Sequence, residues 1–445
     1  MKLLTDLTPL REIPAFRRLW AGGMLSSIGG AMTNFAVTLQ VYDMTHSTAA
    51  VGGLGVAALV PMLIIALPGG TLADRFDRRK LMLVMTAGQT AVSALLFTQA
   101  FLGLRWLWLM YALEAASNAI TAVNQPARRT LIPKLVPAEQ RAAALALNRV
   151  TFQVMLIAGS ALAGVVAAAS GVKGCYLIDT VSFAGSFYGV GRLPPMRAEG
   201  KTRDAKRSGL ALTVEGLSFI RRSQVLAGAF LADVNATFFG LPLSLFPAIN
   251  AERFGGDPRT LGLFTGAIGV GGMVTAVLSG PVKHTSRHGL AMLVCVAAWG
   301  GGFALFAVAP SLWLTLLALA VAGAADTFTV VFRGVIVQAV TPEEFRGRVN
   351  AADYVVAAGG GQLGSLEAGL VGSLTTPVIS ALSGGLATIA GAVAIGAALP
   401  GFRRYREALP VEPPAEPAPA EPAPAEPPPA EPPPQPSTAP QSAPV

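Results

Sequence analysis

Asp43, Glu114, Asp179, Asp233 and Asp326 are carboxyl groups set inside stretches that are otherwise apolar. A charged side chain at the middle of a bilayer costs on the order of 2.5–3.5 kcal/mol on insertion scales, so each one needs a reason to be there. A carboxyl group in a partly dry cavity takes up a proton more readily than one in water. That makes proton binding and release available as a coupling step. Glu114 lies roughly 12 Å from the nearer end of its segment at about 1.5 Å per residue. Asp326 is about as far from the opposite end of its own segment, and both therefore fall near a midplane; Asp233 and Asp43 stand nearer the ends. The competing reading for each is a structural hydrogen bond or a helix-end charge, and Asp179 is expected to be structural. Arg149 is the basic residue well inside a span, and it is available to pair with one of these acids; Asn148 and Gln153 add polarity beside it.

A second cluster is a charged hairpin, Gly70-Thr-Leu-Ala-Asp74-Arg75-Phe-Asp-Arg78-Arg79-Lys80, between two long apolar segments. Such a turn belongs on the water side of a membrane. Asp74 can pair with a basic residue or a helix N-terminus of an opposing bundle. Arg75, Arg78, Arg79 and Lys80 can bind anionic headgroups or acids beneath it. Together they would act as a gating latch on the cytoplasmic side; the alternative is a topology anchor, which has no need of Asp74. A worn copy, Gly280-Pro-Val-Lys-His-Thr-Ser-Arg-His, appears about 210 positions later.

The elements that must position these groups are duplicated. Residues 128–164 align without a gap onto 333–369 with ten identities, among them Arg128/Arg333, Pro137/Pro342, Glu139/Glu344 and Arg141/Arg346. The motif Gly-Ser-x-x-Ala-Gly recurs at Gly159–Gly164 and Gly364–Gly369. These are small-residue stripes that let helices approach closely. With 52% hydrophobic and 13% charged residues, the chain is no ordinary soluble globule. Apolar runs long enough for a bilayer core of about 30 Å recur throughout. We read twelve spans: 19–43, 49–72, 81–103, 106–127, 142–170, 174–192, 223–249, 260–281, 289–309, 311–332, 347–372 and 376–399. The expected fold is thus an all-α membrane protein of two six-helix repeats, as in secondary transporters. Residues 1–193 form the first half and 223–402 the second, with 194–222 a basic cytoplasmic linker and 403–445 a disordered tail.

Of 33 Lys and Arg residues, 28 fall on one side of these spans and 4 on the other, which places both termini in the cytoplasm. The net charge of +8 is therefore a topology signal, and no nucleic-acid partner is implied. Residues 1–18 are charged and read as no cleavable signal, so the first helix is expected to stay in the bilayer. Within the linker, residues 210–220 are expected to lie along the inner membrane face. From Pro410 onward, 16 of 36 residues are proline, so the tail favours extended polyproline II and cannot bury a core. A proline-recognising partner is one reading of it, a solvated extension the other. Cys175 and Cys295 lie in separate halves and read as packing residues. His46, His284 and His288 fall in loops, no metal spacing is present, and Gly359-Gly360-Gly361 lacks the lysine of a nucleotide loop. Neither enzyme nor metal nor cofactor is expected. Transport would draw on an ion gradient.

The hairpin resembles the loop between helices two and three of the major facilitator superfamily, with Asp77 where the general pattern has glycine. Gln40-Val-Tyr-Asp-Met-Thr-His-Ser47, Asn124-Gln-Pro-Ala-Arg-Arg129 and Thr341-Pro-Glu-Glu-Phe-Arg-Gly-Arg-Val-Asn350 are similar to its enterobactin-exporter and macrolide-efflux-like branch. The resemblance implies a monomer in a bacterial-type inner membrane, exporting an amphipathic small molecule such as a siderophore, a macrolide or another drug in exchange for protons. It also implies that helices one, four, seven and ten line a central cavity, which favours Glu114 and Asp326 as coupling residues. Antiporters of the superfamily carry Gly-Pro-x-x-x-Gly on helix five; here Ser160 stands at the proline position. Import, lipid flipping or a non-transporting receptor role remain open on the same fold.

Overall fold

The computed structural model describes residues 7–75, 77–193, 209–278 and 285–406, excluding the side chains of 66–75, 125–130, 132–134, 149–150, 209–210, 212 and 358. Among the described residues every regular element is helical. Helix α1 spans Pro14–Thr45, α2 Thr48–Arg75, α3 Arg78–Phe101, α4 Leu107–Leu135, α5 Ala138–Ser170 and α6 Val172–Gly191. A linker helix, Gly209–Arg222, follows. Then come α7 at Gln224–Phe254, α8 at Pro258–Leu278, α9 at His288–Val308, α10 at Leu312–Val340, α11 at Glu343–Leu374 and α12 at Pro377–Ala398. Each expected span falls on one of these. Seven of the described helices are long and apolar enough to cross a membrane by length and composition. In α4 and α11, polar residues such as Glu114, Asn118, Asp353 and Glu367 dilute the apolar run.

Helices suit an apolar solvent because they satisfy their own backbone groups, leaving only the ends to be matched. Asp77, the departure from the superfamily pattern, caps α3: its carboxylate accepts from the backbone N–H of Lys80 at 3.1 Å. Ser311 caps α10 and Thr376 caps α12 in the same way. At C-terminal ends arginines serve. Arg105 donates to the carbonyls of Asp43 and Met44 at 3.2 and 3.3 Å. Arg253 donates to those of Ala307, at 2.7 Å, and Ala309. Cations are favoured at these ends, where carbonyls are exposed and the helix dipole is negative.

The duplication seen in the sequence reappears in the packing. Helix α2 lies on α4 as α8 lies on α10, and α3 on α6 as α9 on α12. Across the halves, α2 packs on α11 and α8 on α5. The second half holds an aromatic core of Phe246, Phe264, Phe303 and Phe306. One asymmetry separates the copies: α11 is α-helical throughout, whereas α5 contains a π-helical turn at Met155–Gly159. The linker helix is held against the start of α11 by an ion pair between Glu215 and Arg348 at 3.0 Å and by the stacked rings of Phe219 and Phe345. Residues 407–445 of the expected tail, most of the basic linker (194–208) and residues 280–284 of the worn hairpin copy lie outside the described residues.

Candidate functional site

Helix α4 presents Glu114, Ser117, Asn118, Thr121 and Asn124 at helical spacing, so five polar side chains share one face. They form a wall of a cavity of about 590 Å³, a volume typical of small-molecule sites. Its other walls come from α1 (Ser26, Thr33, Asn34), α3 (Gln89, Ser93) and α6 (Asp179). Leu156 and Ser160 border it at the π turn of α5. Residues of the second half face them: Phe246 of α7, Leu261 and Thr265 of α8, and Gln362 of α11. All stand near the middle of their helices or at the junction of the two halves.

Hydrogen bonds hold this wall in place. Gln89 bridges α3 to α4, donating to the Ser117 carbonyl at 3.0 Å and the Thr121 hydroxyl at 2.9 Å, and accepting from the Ser117 hydroxyl at 3.1 Å. Asn118 donates to Oε1 of Glu114 at 2.7 Å and to its carbonyl at 3.0 Å, which fixes the carboxyl along the helix face. Asp179 is buried at 2% exposure; its Oδ2 accepts from the hydroxyls of Ser93 and, at 2.8 Å, Thr33. It therefore joins α6 to α1 and α3 while also bordering the cavity.

A second charged cluster lies in the other half. Arg333 of α10 pairs with Asp233 of α7, and at 3.2 Å with Asp353 of α11. Arg333 reads from sequence as a loop residue on the cytoplasmic side; the structure instead buries it within α10, because two carboxylates are there to receive it. Asp326 has an exposed side chain on α10 and is not among the described residues of the cavity wall. Asp43 is exposed at the end of α1.

In the hairpin, Arg78 is buried and Arg79 donates to the Gly191 carbonyl, tying the start of α3 to the end of α6. Gly70 lies in the backbone of α2, while the side chains of Asp74, Arg75 and Arg149 lie outside the described residues. The glycine stripes split their work. A Cβ on Gly159 would meet Ala31 of α1, and one on Gly364 the carbonyls of Thr237 and Phe238 of α7, both within one half. Gly164 instead packs on Gly262 of α8, and Gly369 on Gly52 of α2, across the halves. These two seams lie at the face remote from the described ends of the chain.

Sequence reasoning passed over Gln89, Ser93, Thr33, Asp353, Glu367 and Gln362. The repeated polar positions along α4 were a legible signal for the wall. Asp353 had one too: it aligns with Asn148 in the repeat, a polar position in both copies.

A twelve-helix register of paired halves around a mid-helix polar cavity defines a major facilitator transporter, not an enzyme. Residues 4–416 match the family described as transmembrane secretion effector, and the chain belongs to that family. Among curated relatives, the enterobactin exporter EntS of Shigella boydii serotype 18 is 26% identical over 408 residues, covering 92% of this chain and 97% of that one. EntS of Citrobacter koseri is 27% identical over 409 residues with the same coverage. The nucleoside transporter NupG has the same fold, with a TM-score of 0.67, 14% identity, and coverage of 86% of this chain and 98% of its own.

Proposed function

We propose that the chain is a secondary active transporter that exports an amphipathic small molecule, a siderophore, macrolide or similar drug, in exchange for protons by alternating access. In this reading all twelve helices cross a bacterial inner membrane and both termini are cytoplasmic. The observation that carries it is the polar cavity between the two halves, with Glu114 on its wall and the glycine seams drawing the halves together at one face. A cavity near mid-membrane, bounded by both halves and shut towards one face, is what alternating access requires. The family and the exporter names of the relatives support the outward direction.

Proton coupling is assigned to Glu114, with Asp326 as the second candidate and Asp233 and Asp43 behind them. A carboxyl facing a cavity can be protonated from one side and deprotonated towards the other. The test uses inverted vesicles energised with a proton gradient, with enterobactin and erythromycin as probes. Uptake of at least one should collapse with a protonophore. Glu114→Gln or Asp326→Asn should abolish accumulation while binding persists, and Asp179→Asn should do less. Uphill uptake with unchanged pH dependence in both single variants would remove coupling through these residues.

A further inference from the structure

The linker helix, Gly209–Arg222, has two faces of different character. One is packed: Thr213, Gly216 and Ile220 are buried, three and four residues apart. A Cβ on Gly216 would collide with the Arg348 carbonyl of α11. Beside them Glu215 pairs with Arg348 and Phe219 stacks on Phe345. The opposite face carries Val214, Leu217, Ser218, Arg221 and Arg222, the i, i+3, i+4, i+7, i+8 stripe of an amphipathic helix. These five residues line a groove of about 420 Å³. Val214 and Leu217 are 61% and 37% exposed. Arg221 and Arg222 are exposed, and neither pairs with a carboxylate among the described residues. Along the axis the order is an apolar pair, a serine, then two cations. Helix α7 begins directly after them, at Gln224, with Ser223 as its cap.

We propose that this groove holds an anionic phospholipid of the inner leaflet, its phosphate received by Arg221, Arg222 and Ser218 and its chains laid on Val214 and Leu217. The proposal rests on the reading in which α7 spans the bilayer and the linker is cytoplasmic; it does not depend on the substrate or the direction of transport. A guanidinium offers a phosphate paired N–H donors, and the serine hydroxyl adds another. Basic side chains immediately cytoplasmic of a span stand where anionic headgroups lie. An apolar pair flanked by cations fits a ligand that presents acyl chain and phosphate side by side. The other occupants fit less well. A second copy seated here about a twofold axis would bring four arginines together, and a soluble phosphate would leave Val214 and Leu217 in water.

The test uses the full chain in nanodiscs of phosphatidylcholine, with Cys175 and Cys295 replaced by alanine. A bimane label at Ala211→Cys, one turn from Val214, reports the local lipid. Phosphatidylglycerol or phosphatidylcholine with brominated chains is added as quencher. Half-maximal quenching is expected at a lower mole fraction of phosphatidylglycerol than of phosphatidylcholine, by roughly fivefold for each arginine. Arg221→Gln with Arg222→Gln should remove the difference, and Arg221→Lys with Arg222→Lys should keep most of it. Equal quenching by the two lipids, or an unchanged difference in the double glutamine variant, overturns the proposal. Displacement by millimolar glycerol phosphate would show a soluble phosphate site and overturn it too. So would a difference seen only after removal of residues 410–445, since the glutamates of the tail would then be the occupant. Failure here is separable from failure of the topology: external labelling at Ser437 sinks the cytoplasmic placement, whereas equal quenching with Ser437 protected sinks the lipid site alone.

Discussion

At the scale of single residues, the cluster of Asp233, Arg333 and Asp353 is where the structure departs furthest from the sequence reading. Arg333 and Asp233 side chains are 11% and 8% exposed, so little water reaches either charge. Removing one partner of such a pair costs about 3–5 kcal/mol, because the other charge stays buried alone. Arg333→Gln should therefore lower the melting temperature in detergent markedly. Adding Asp233→Asn should recover part of the loss, since one stranded charge is then gone. Equal melting of Arg333→Gln and the parent would show that the pair is not structural. Glu114 was legible as a candidate because an acid in an apolar run stands out in any sequence. Its partners were not, because serine, threonine and glutamine are common in membrane helices and only three-dimensional packing tells which of them converge. Asp326 and Asp233 stand out as strongly in the sequence, yet the first has an exposed side chain while the second is buried beside Arg333. Sequence shows that a charge is present; the neighbouring helices decide whether it faces a cavity, an arginine or solvent.

At the scale of elements, helix positions were legible because a run of apolar residues has one common solution in a bilayer. The π turn was not, since nothing in Met155–Gly159 differs in type from an ordinary helical run. Such turns are frequent at functional sites, and this one borders the cavity on α5 while its repeat mate in α11 is regular. The stripes were legible as packing faces, but not which face met the other half. The distances now decide it. A Cβ on Gly369 would lie 2.4 Å from the Thr48 carbonyl oxygen, and one on Gly52 2.7 Å from that of Ser365. Backbone cannot retreat from such a contact without moving a helix. Gly369→Ala should therefore favour opening at that face. With Cys175 and Cys295 replaced by alanine, a cysteine at Ser117 should react faster with an impermeant thiol reagent from that side in Gly369→Ala than in the parent. Equal rates would show that the seam does not control access.

At the scale of the whole molecule, duplication was the most legible property, and it survives as matched packing of α2–α4 with α8–α10 and of α2–α11 with α8–α5. The two halves differ in what they carry all the same. The first carries most of the polar cavity wall, the second a buried ion-pair cluster and an aromatic core. The arrangement of charges along the chain predicts the orientation. Cysteines at Ser47 and Gly256 should label with an external impermeant reagent, and cysteines at Ser208 and Ser437 should not. External labelling at Ser437 would reverse the placement of the C-terminus.

The two glycine seams have an energetic consequence. Lipid tails are as apolar as leucine, so helices in a bilayer gain nothing from hiding apolar surface on one another. What holds Gly52 to Gly369 and Gly164 to Gly262 is backbone contact: dispersion, and Cα–H groups near carbonyl oxygens worth perhaps 0.5–1 kcal/mol each. The first seam also has a hydrogen bond, from the Thr48 hydroxyl to the Gly369 carbonyl at 2.8 Å. The sum is a few kcal/mol. One elementary charge moving through 100 mV releases about 2.3 kcal/mol. On the proposed reading, one ion falling through an ordinary membrane potential supplies energy of the same order as parting these seam contacts.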